Sequence, residues 1–310
     1  MMNGVLNIYK EPGMTSFQVV YQIRKLTGEE KIGHTGTLDP DAKGVLPVCI
    51  GKATKLVDML MDTDKQYRAS LLFGKRTDTQ DISGKTLEEV EPAEVKRILS
   101  PEQIIRTIES FHGEIEQMPP MYSAVKVNGV KLVDAARKGK TIERKARKVS
   151  IYGFDQIAVT GFDDPDDPVK AFFTVNCSKG TYIRTLCEDI GAHLSVPACL
   201  ESLERTRTSG LDLSTAITLE EAKQYMEQGV LEEHLIPVDR FLKNYKAIYA
   251  KEEAVKKLIY GNWLRQEEFL PIDEFEDGEK FRVYDTEENF YAVYRFSKKD
   301  YYFKCEKMFV

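Results

Sequence analysis

The sequence predicts an α+β protein with a second, smaller β-rich module at its C-terminus. Strand-like and helix-like segments alternate irregularly up to about residue 245. Neither a G-x-G-x-x-G nor a P-loop pattern occurs, which argues against a nucleotide-binding βαβ fold. Beyond residue 245 one short helix is followed by three strand-like runs, enough for a small independent module. We therefore expect one domain over residues 1–245 and another over residues 246–310.

Apolar spacing and residues typical of helix ends predict where the helices lie. Apolar residues spaced by threes predict a helix over Ser16–Thr27, with Gly28 as its stop. The run Ser-Pro-Glu-Gln at residues 100–103 combines an N-cap, a first-turn proline and a capping glutamine, and it opens a helix that ends near Gly113. Further helices are predicted over 180–193, from the capping pair Thr218 and Glu221, and over 251–258.

Short apolar runs bounded by turn residues predict the strands. These runs cover residues 5–9, 44–50, Lys65–Phe73, 149–159 and 169–177 in the first domain and 280–285, 290–296 and 301–309 in the second. Residues 29–43 are polar and glycine-rich, so we expect a loop between two buried elements, where chemistry is commonly placed. Residues 117–129 are expected to form an extended arm, because Pro119 and Pro120 lack amide donors.

Composition narrows the class of protein. With 42% hydrophobic and 30% charged residues in a 310-residue chain, the sequence is that of a globular protein. It has neither an apolar run of about 18 residues nor a signal-peptide pattern. The five cysteines include no C-x-x-C pair and are expected to be reduced thiols. We expect a cytoplasmic protein without a membrane span.

Charge is distributed unevenly along the chain. The formal net charge of -6 argues mildly against a nucleic-acid partner. Between Lys126 and Lys148, however, nine basic residues face two acidic ones, whereas the segment from Glu267 to Glu288 is strongly acidic. A strong local field can exist inside an acidic total. Taken alone, the basic run is typical of a solvated helix and loop.

Few residues offer a catalytic pattern of their own. The four histidines are scattered without metal-ligand spacing, so we expect no metal site. No G-x-S-x-G motif supports a serine nucleophile. What remains is Asp39, inside the run GHTGTLDPDAKGVLPVCIG. Taken alone, Asp-Pro-Asp is most simply a turn, because Asp caps the backbone and Pro fixes φ.

Four ordered segments resemble the motifs of one known family. They are GHTGTLDPDAKGVLPVCIG (33–51), KQYRASLLFGKRTDTQDISG (65–84), QMPPMYSAVKVNG (117–129) and SKGTYIRTLCEDIG (178–191). Together they resemble the TruB family of pseudouridine synthases, whose members isomerise uridine 55 in the TΨC loop of tRNA. The resemblance is specific up to about residue 210. It implies the pseudouridine synthase fold, a mixed and mostly antiparallel sheet with flanking helices, followed by a small PUA-like RNA-binding domain.

The resemblance also implies a set of site residues. Asp39 matches the catalytic aspartate, and Arg184 matches the guanidinium expected to pair with it. Because a closed pocket raises the pKa of a carboxylate, we predict an Asp39–Arg184 ion pair that opposes this effect. Tyr67 matches the residue that stacks on the flipped base in such enzymes, and its phenol is a candidate proton relay. His34 matches the residue that fills the gap left by that base, and two further pocket walls correspond to Tyr182 and Leu203.

RNA recognition and cofactor use follow from the same resemblance. The basic residues of an insertion near 117–148 are expected to grip phosphates of the tRNA T-arm, foremost Lys145, Arg147 and Lys148. Substrate and product of uridine isomerisation have the same atoms, so the reaction needs no cofactor, metal or energy carrier in principle. We expect a monomer that requires no protein partner.

The chain departs from the usual family pattern at two positions, and two alternative functions stay open. Family members usually carry an aromatic residue where this chain has Val133, and an arginine where it has Glu204, which removes a potential phosphate contact. One alternative is the guide-dependent relative that modifies RNA together with partner proteins. The other is a tRNA-binding or tRNA-folding protein in which catalysis is secondary.

Overall fold

The computed structural model describes residues 2–272 and 274–310, and it is built around one large sheet and one small one. The helices are α1 (Ser16–Thr27), α2 (Val57–Met61), α3 (Pro92–Ile98), α4 (Pro101–Ser110), α5 (Leu132–Ala136), α6 (Ile183–His193), α7 (Leu219–Glu227) and α8 (Val255–Ile259). The strands are β1 (Gly4–Lys10), β2 (Ile32–His34), β3 (Lys43–Ile50), β4 (Lys65–Phe73), β5 (Lys75–Thr77), β6 (Thr86–Glu89), β7 (Gly113–Gln117), β8 (Lys126–Val127), β9 (Val130–Lys131), β10 (Arg147–Thr160), β11 (Lys170–Cys177), β12 (Ala198–Thr208), β13 (Leu211–Asp212), β14 (Lys246–Tyr249), β15 (Lys280–Tyr284), β16 (Phe290–Ser297) and β17 (Tyr302–Met308).

The large sheet has the order β1-β3-β12-β4-β11-β10-β7, with β2 added to β3 and β13 added to β12. Every neighbouring pair in it is antiparallel except β3 and β12. The small sheet has the order β14-β15-β16-β17. The predicted α+β class, with a mostly antiparallel sheet and a β-rich C-terminal module, is confirmed.

The capping residues predicted from the sequence are present in helices α1 and α4. Thr15 and Gln18 form a reciprocal capping box at the start of α1, and Gly28 closes the helix with φ 70°. Ser100 and Gln103 form the predicted capping box of α4. Near the C-terminus, the predicted helix over 251–258 is shorter than expected, because its first residues form a 3-10 turn ahead of α8.

Helices cover one face of the large sheet. Alternate residues of β1 point to opposite sides, so Leu6 and Ile8 enter one buried cluster and Val5 enters another. The first cluster also contains buried residues of α1, α4 and α6. The second contains Val293 and Phe309 from the C-terminal module, so the two sheets share apolar packing.

Strand β12 lies between β4 and β3 in the large sheet. It pairs antiparallel with β4, with Tyr67 opposite Arg205 and Ala69 opposite Leu203. On its other side it pairs parallel with β3 over two positions, one of which sets Arg205 beside Gly44. This strand was not among the predicted ones. It brings the loop before β3 next to the side chains of β4.

No helix in the described ranges, 2–272 and 274–310, combines the length and the apolar character needed to cross a bilayer.

Close packing at Gly44 leads to a stability prediction. A Cβ at this position would lie within 3.0 Å of the backbone N and C of Arg205, and φ there is +106°. We expect Gly44→Ala to lower the free energy of unfolding by about 3 kcal/mol or more, from backbone strain plus steric overlap. Urea denaturation monitored by circular dichroism measures the change.

Gly13→Ala is the matched control. Gly13 also has a positive φ, +85°, but nothing lies within 4 Å of a Cβ built there. Strain alone then predicts a loss of about 1–2 kcal/mol. Equal losses in the two variants would contradict the role given to the Gly44–Arg205 contact.

Candidate active site

The loop before β3 holds Asp39 through a tight turn and a serine anchor. The Asp39 carbonyl accepts a hydrogen bond from the Ala42 amide at 3.1 Å, which closes the turn that Asp-Pro-Asp predicts. The preceding residue, Leu38, is tied to buried Ser16 in the first turn of α1. Its amide donates to Ser16 Oγ at 2.9 Å, and the same hydroxyl donates to the Leu38 carbonyl at 3.2 Å.

Two buried cations fix the backbone of this loop from opposite ends. Lys10 Nζ donates to the carbonyls of Ala42 at 2.6 Å and Pro40 at 2.9 Å. Arg205 donates from Nε to the Val45 carbonyl at 2.8 Å and from Nη2 to the Gly36 carbonyl at 3.1 Å. Both side chains are buried, so an unpaired backbone carbonyl would be costly there. Sequence reasoning missed both residues.

Burial lowers the pKa of Lys10 to about 8, and nearby carboxylates, foremost Asp41 and then Asp39, only partly offset that effect. Nothing in the local sequence marks Lys10, which is the last residue of an ordinary strand. Only its position beneath the Asp39 loop reveals its role.

Asp39 forms a two-point ion pair with Arg184. Arg184 Nε lies 2.9 Å from Asp39 Oδ2, and Arg184 Nη2 donates to Oδ1 at 3.2 Å. Such fork geometry fixes orientation as well as charge. The ion pair predicted from the sequence is therefore present in the structure.

The Arg184 side chain is 5% exposed, so other parts of the protein surround it. Its remaining donors reach the carbonyls of Thr79 at 2.9 Å and Tyr122 at 2.8 Å, and Nη1 lies 3.5 Å from the Asp81 carboxylate. One buried guanidinium thus joins the Asp39 loop, the loop after β5 and the arm that follows β7. Asp81 was not among the predicted site residues, although it stands in the second motif.

The carboxylate of Asp39 lies between two cavities and is 41% exposed to them. Burial raises the pKa of Asp39 above the ordinary value of an aspartate. The guanidinium of Arg184 opposes that rise, and the Asp81 carboxylate adds to it. Asp39 therefore takes up a proton at a higher pH than an exposed aspartate does.

One cavity, of about 280 Å³, lies beside Asp39 and is called the slot below. Tyr67, Leu203 and Tyr182, which the resemblance assigns to the pocket, line it. Burial raises the pKa of the Tyr67 phenol to about 12, although nearby Arg205 opposes the shift. The phenol is therefore protonated at neutral pH and can donate a hydrogen bond into the slot.

Lys65 also lines this slot, and sequence reasoning did not single it out. Its Nζ donates to the Thr63 carbonyl at 2.6 Å. Burial lowers the pKa of Lys65, and Arg205 adds to that effect.

His34 lies next to the slot. It ends β2 two residues before Gly36, which lines the slot, and its Nδ1 accepts from the Gly36 amide at 3.2 Å. Burial lowers the pKa of His34 and so favours its neutral form.

The second cavity, of about 380 Å³, lies on the other side of the ion pair. Asp39 and Arg184 border both cavities, whereas Asp81, Tyr122 and Val133 border only this one. Val133, where family members usually carry an aromatic ring, is therefore a wall residue of this cavity.

The predicted phosphate-gripping residues are separate from the cavities. Lys145, Arg147 and Lys148 are exposed along the segment that enters β10. Lys148 Nζ lies 2.7 Å from Glu114 Oε1 on the neighbouring strand. Part of its charge is therefore already balanced within the protein.

Glu204 is turned inward and is 9% exposed. It accepts from Arg68 Nη1 at 2.8 Å and from the Tyr9 hydroxyl at 2.9 Å. Its carboxylate therefore forms an ion pair with Arg68, whose side chain is 58% exposed. Elsewhere in the described part of the chain, no group of three or more His, Cys, Asp or Glu side chains is arranged to hold a metal ion.

Comparison with known proteins identifies this class of site. The model of the TruB family pseudouridylate synthase N-terminal domain matches residues 24–183, and that of the tRNA pseudouridylate synthase B C-terminal domain matches residues 184–243. The chain belongs to the TruB family of pseudouridylate synthases. The second match ends just before β14, so the small sheet lies outside both matches.

Curated relatives cover the whole chain. It is 44% identical over 301 residues to the tRNA pseudouridine synthase B of Clostridium acetobutylicum, covering 97% of this chain and 98% of that protein. It is 42% identical over 312 residues to the protein of that name from Lachnoclostridium phytofermentans, covering 100% of both.

Solved structures share the fold. A Cbf5-Nop10-Gar1 complex contains a chain that is 27% identical with a TM-score of 0.69, covering 100% of this chain and 85% of that one. An H/ACA RNP bound to a substrate RNA containing 2'-deoxyuridine gives 24% identity and a TM-score of 0.68, covering 99% of this chain and 85% of that one.

The charges around Asp39 predict opposite effects of two substitutions. Arg184→Met removes the cation that opposes protonation, so the pKa of Asp39 rises further. Asp81→Asn removes a like charge, so the pKa of Asp39 falls relative to wild type. Titration of the carboxyl carbon of labelled aspartate by NMR measures both shifts. A shift of the same sign in the two variants would refute this electrostatic assignment.

Proposed function

We propose that this protein isomerises the uridine at position 55, in the TΨC loop of tRNA, to pseudouridine. The observation that carries the proposal is the ion pair between Asp39 and the buried Arg184 at the edge of a slot walled by Tyr67. Membership of the TruB family supports the reaction type. The names of its full-length relatives support tRNA as the substrate.

The reaction needs a carboxylate more than it needs any other group. The N1–C1′ glycosidic bond breaks, the base turns within the slot, and C5 bonds to C1′ while the C5 proton is lost and N1 gains one. Atoms and electrons balance without an external reactant. Asp39 serves as the nucleophile or as the charge partner of the detached fragments, and either role requires its ionised form.

Arg184 keeps that ionised form available. A base that fills the slot removes water from Asp39 and would raise its pKa further. Because the guanidinium is already bonded to both carboxylate oxygens, it offsets this desolvation without having to move. The rate should fall as the pH drops through the raised pKa of Asp39.

The slot accepts a base only after the base has left its stack. Extraction of a nucleotide costs a few kcal/mol, which stacking on an aromatic ring offsets in part. Tyr67 supplies such a ring, and Leu203 and Tyr182 supply further walls. Neutral His34, next to the slot, is suited to fill the gap that the extracted base leaves in the RNA.

The Asp-Pro-Asp turn offers an internal comparison for the catalytic assignment. Asp39→Asn keeps the shape and removes the charge, so we expect isomerisation of a minimal T-arm hairpin to slow by about 10³-fold or more. Asp41→Asn alters the exposed carboxylate two residues on, and we expect less than about a threefold change. Product is measured by mapping pseudouridine in the RNA.

The same assay separates the alternatives. Fast isomerisation of the hairpin by this protein alone agrees with a stand-alone enzyme. Activity that depends on a guide RNA or partner proteins would overturn the stand-alone proposal. A wild-type rate for Asp39→Asn would overturn the catalytic assignment.

We assign RNA docking to the basic segment and to the small C-terminal module. The boundary at residue 246, where β14 starts a separate sheet, supports the proposed division into domains 1–245 and 246–310. The module exposes Tyr260 and Trp263, and Lys304 Nζ lies 4.2 Å from the centroid of the Trp263 ring. Aromatic rings beside cations are typical of surfaces that bind unpaired nucleotides.

Salt dependence tests the role of the basic segment. Neutralising Lys145, Arg147 and Lys148 to Gln should make the slope of log affinity for tRNA against log salt shallower by about two. The expected change is two and not three, because Lys148 is already paired with Glu114. Exchanging Lys and Arg at the same positions keeps the charge and should leave the slope as in wild type. An unchanged slope in the Gln variant would exclude this segment as the phosphate grip.

A further inference from the structure

Gln117, the last residue of β7, has its side-chain amide buried against one peptide unit. Its Oε1 accepts from the Tyr182 amide at 3.0 Å, and its Nε2 donates to the Tyr182 carbonyl at 3.2 Å. The residue is 2% exposed. Because both ends of the amide are used by the same backbone residue, its orientation is fixed.

The backbone of Tyr182, which such a clamp holds, lies where helix α6 begins. It is the N-cap of α6 but contributes no side-chain cap. Its carbonyl also accepts the first helical hydrogen bond, from the Leu186 amide at 3.0 Å. Arg184 lies in the first turn of the same helix, so the backbone at Tyr182 sets where both the tyrosine ring and the guanidinium begin.

A second contact runs in the opposite direction. Arg184 Nη2 donates to the Tyr122 carbonyl at 2.8 Å, five residues after Gln117 in the arm. The arm therefore holds the start of α6 through Gln117, and α6 holds the arm through Arg184. Pro119 and Pro120 lie between the two contacts and cannot continue the β7 ladder, so these side chains take over from strand pairing there.

We propose that Gln117 is a positioning residue for the reaction: by clamping the backbone of Tyr182, it sets the slot wall and aims the Arg184 guanidinium at Asp39. This inference rests on the proposed function, since it concerns the same site. Gln117 does not line either cavity described above and has no contact with Asp39 of its own. Its effect is exerted through Tyr182 and Arg184.

The test compares two substitutions of Gln117. Gln117→Met is close in size but loses both hydrogen bonds. Gln117→Glu keeps an acceptor for the Tyr182 amide and loses the donor to its carbonyl. We expect kcat on the T-arm hairpin to fall about 10–100-fold for Met and less for Glu, with KM within about threefold of wild type, because small displacements of a reacting group are costly. In Gln117→Met, which adds no charge, the acid limb of the pH–rate profile should move to higher pH, since a misaimed guanidinium opposes protonation of Asp39 less.

Gln66→Met is the matched control. Gln66 also uses both ends of its amide, donating to Asn176 Oδ1 at 3.0 Å and accepting from the Thr206 hydroxyl at 2.8 Å, but it does so between strands of the same sheet. We expect Gln66→Met to lower the free energy of unfolding in urea about as much as Gln117→Met does. The acid limb of its pH–rate profile should stay where it is in wild type. If both Gln117 variants match the Gln66 variant in kcat and in pH profile, Gln117 is structural only and the proposal fails.

NMR titration of Asp39 in Gln117→Met, which adds no charge, gives a readout that does not depend on activity. A raised pKa of Asp39 supports the clamp, and an unchanged pKa overturns it. If wild-type protein left the hairpin unmodified, the proposed function would fail, while this titration would still decide whether Gln117 aims Arg184.

Discussion

The ion pair between Asp39 and Arg184 is the constraint to which the other parts of the site conform. A carboxylate that burial removes from water tends to take up a proton, and a cation fixed in advance can oppose this without moving during the reaction. The guanidinium is itself buried, so it needs acceptors for its remaining donors. Those acceptors come from the loop after β5 and from the arm after β7. One charge requirement thus fixes the relative positions of three loops.

Buried cations perform a second task beneath the site. Lys10 and Arg205 bond to backbone carbonyls of the Asp39 loop instead of forming a tight ion pair with a carboxylate. They hold the loop rigid and leave the charge of Asp39 to be balanced by Arg184. Removal of either would take donors away from these backbone carbonyls, so we regard these two residues as part of the site although they do not line its second cavity.

The features that could be predicted from the sequence have local causes. The capping boxes of α1 and α4, and strands bounded by turn residues, depend on neighbours a few positions away. Strand β12 escaped prediction because charged residues interrupt its apolar pattern, and those charges are neutralised by partners such as Arg68, far away in the sequence. The roles of Asp39 and Arg184 came from the resemblance, whereas Lys10, Lys65, Asp81 and Gln117 act through contacts that only the folded chain brings together.

The parallel contact between β3 and β12 has a consequence for the large sheet. Only two positions pair there, Lys43 with Glu204 and Gly44 with Arg205. Beyond them the Val45 carbonyl bonds to the Arg205 side chain, which replaces a missing rung of the ladder. The large sheet therefore consists of two parts, one containing β1, β2 and β3 and the other containing β4, β7, β10, β11, β12 and β13, which meet at this short junction where the Arg205 side chain adds a further bond.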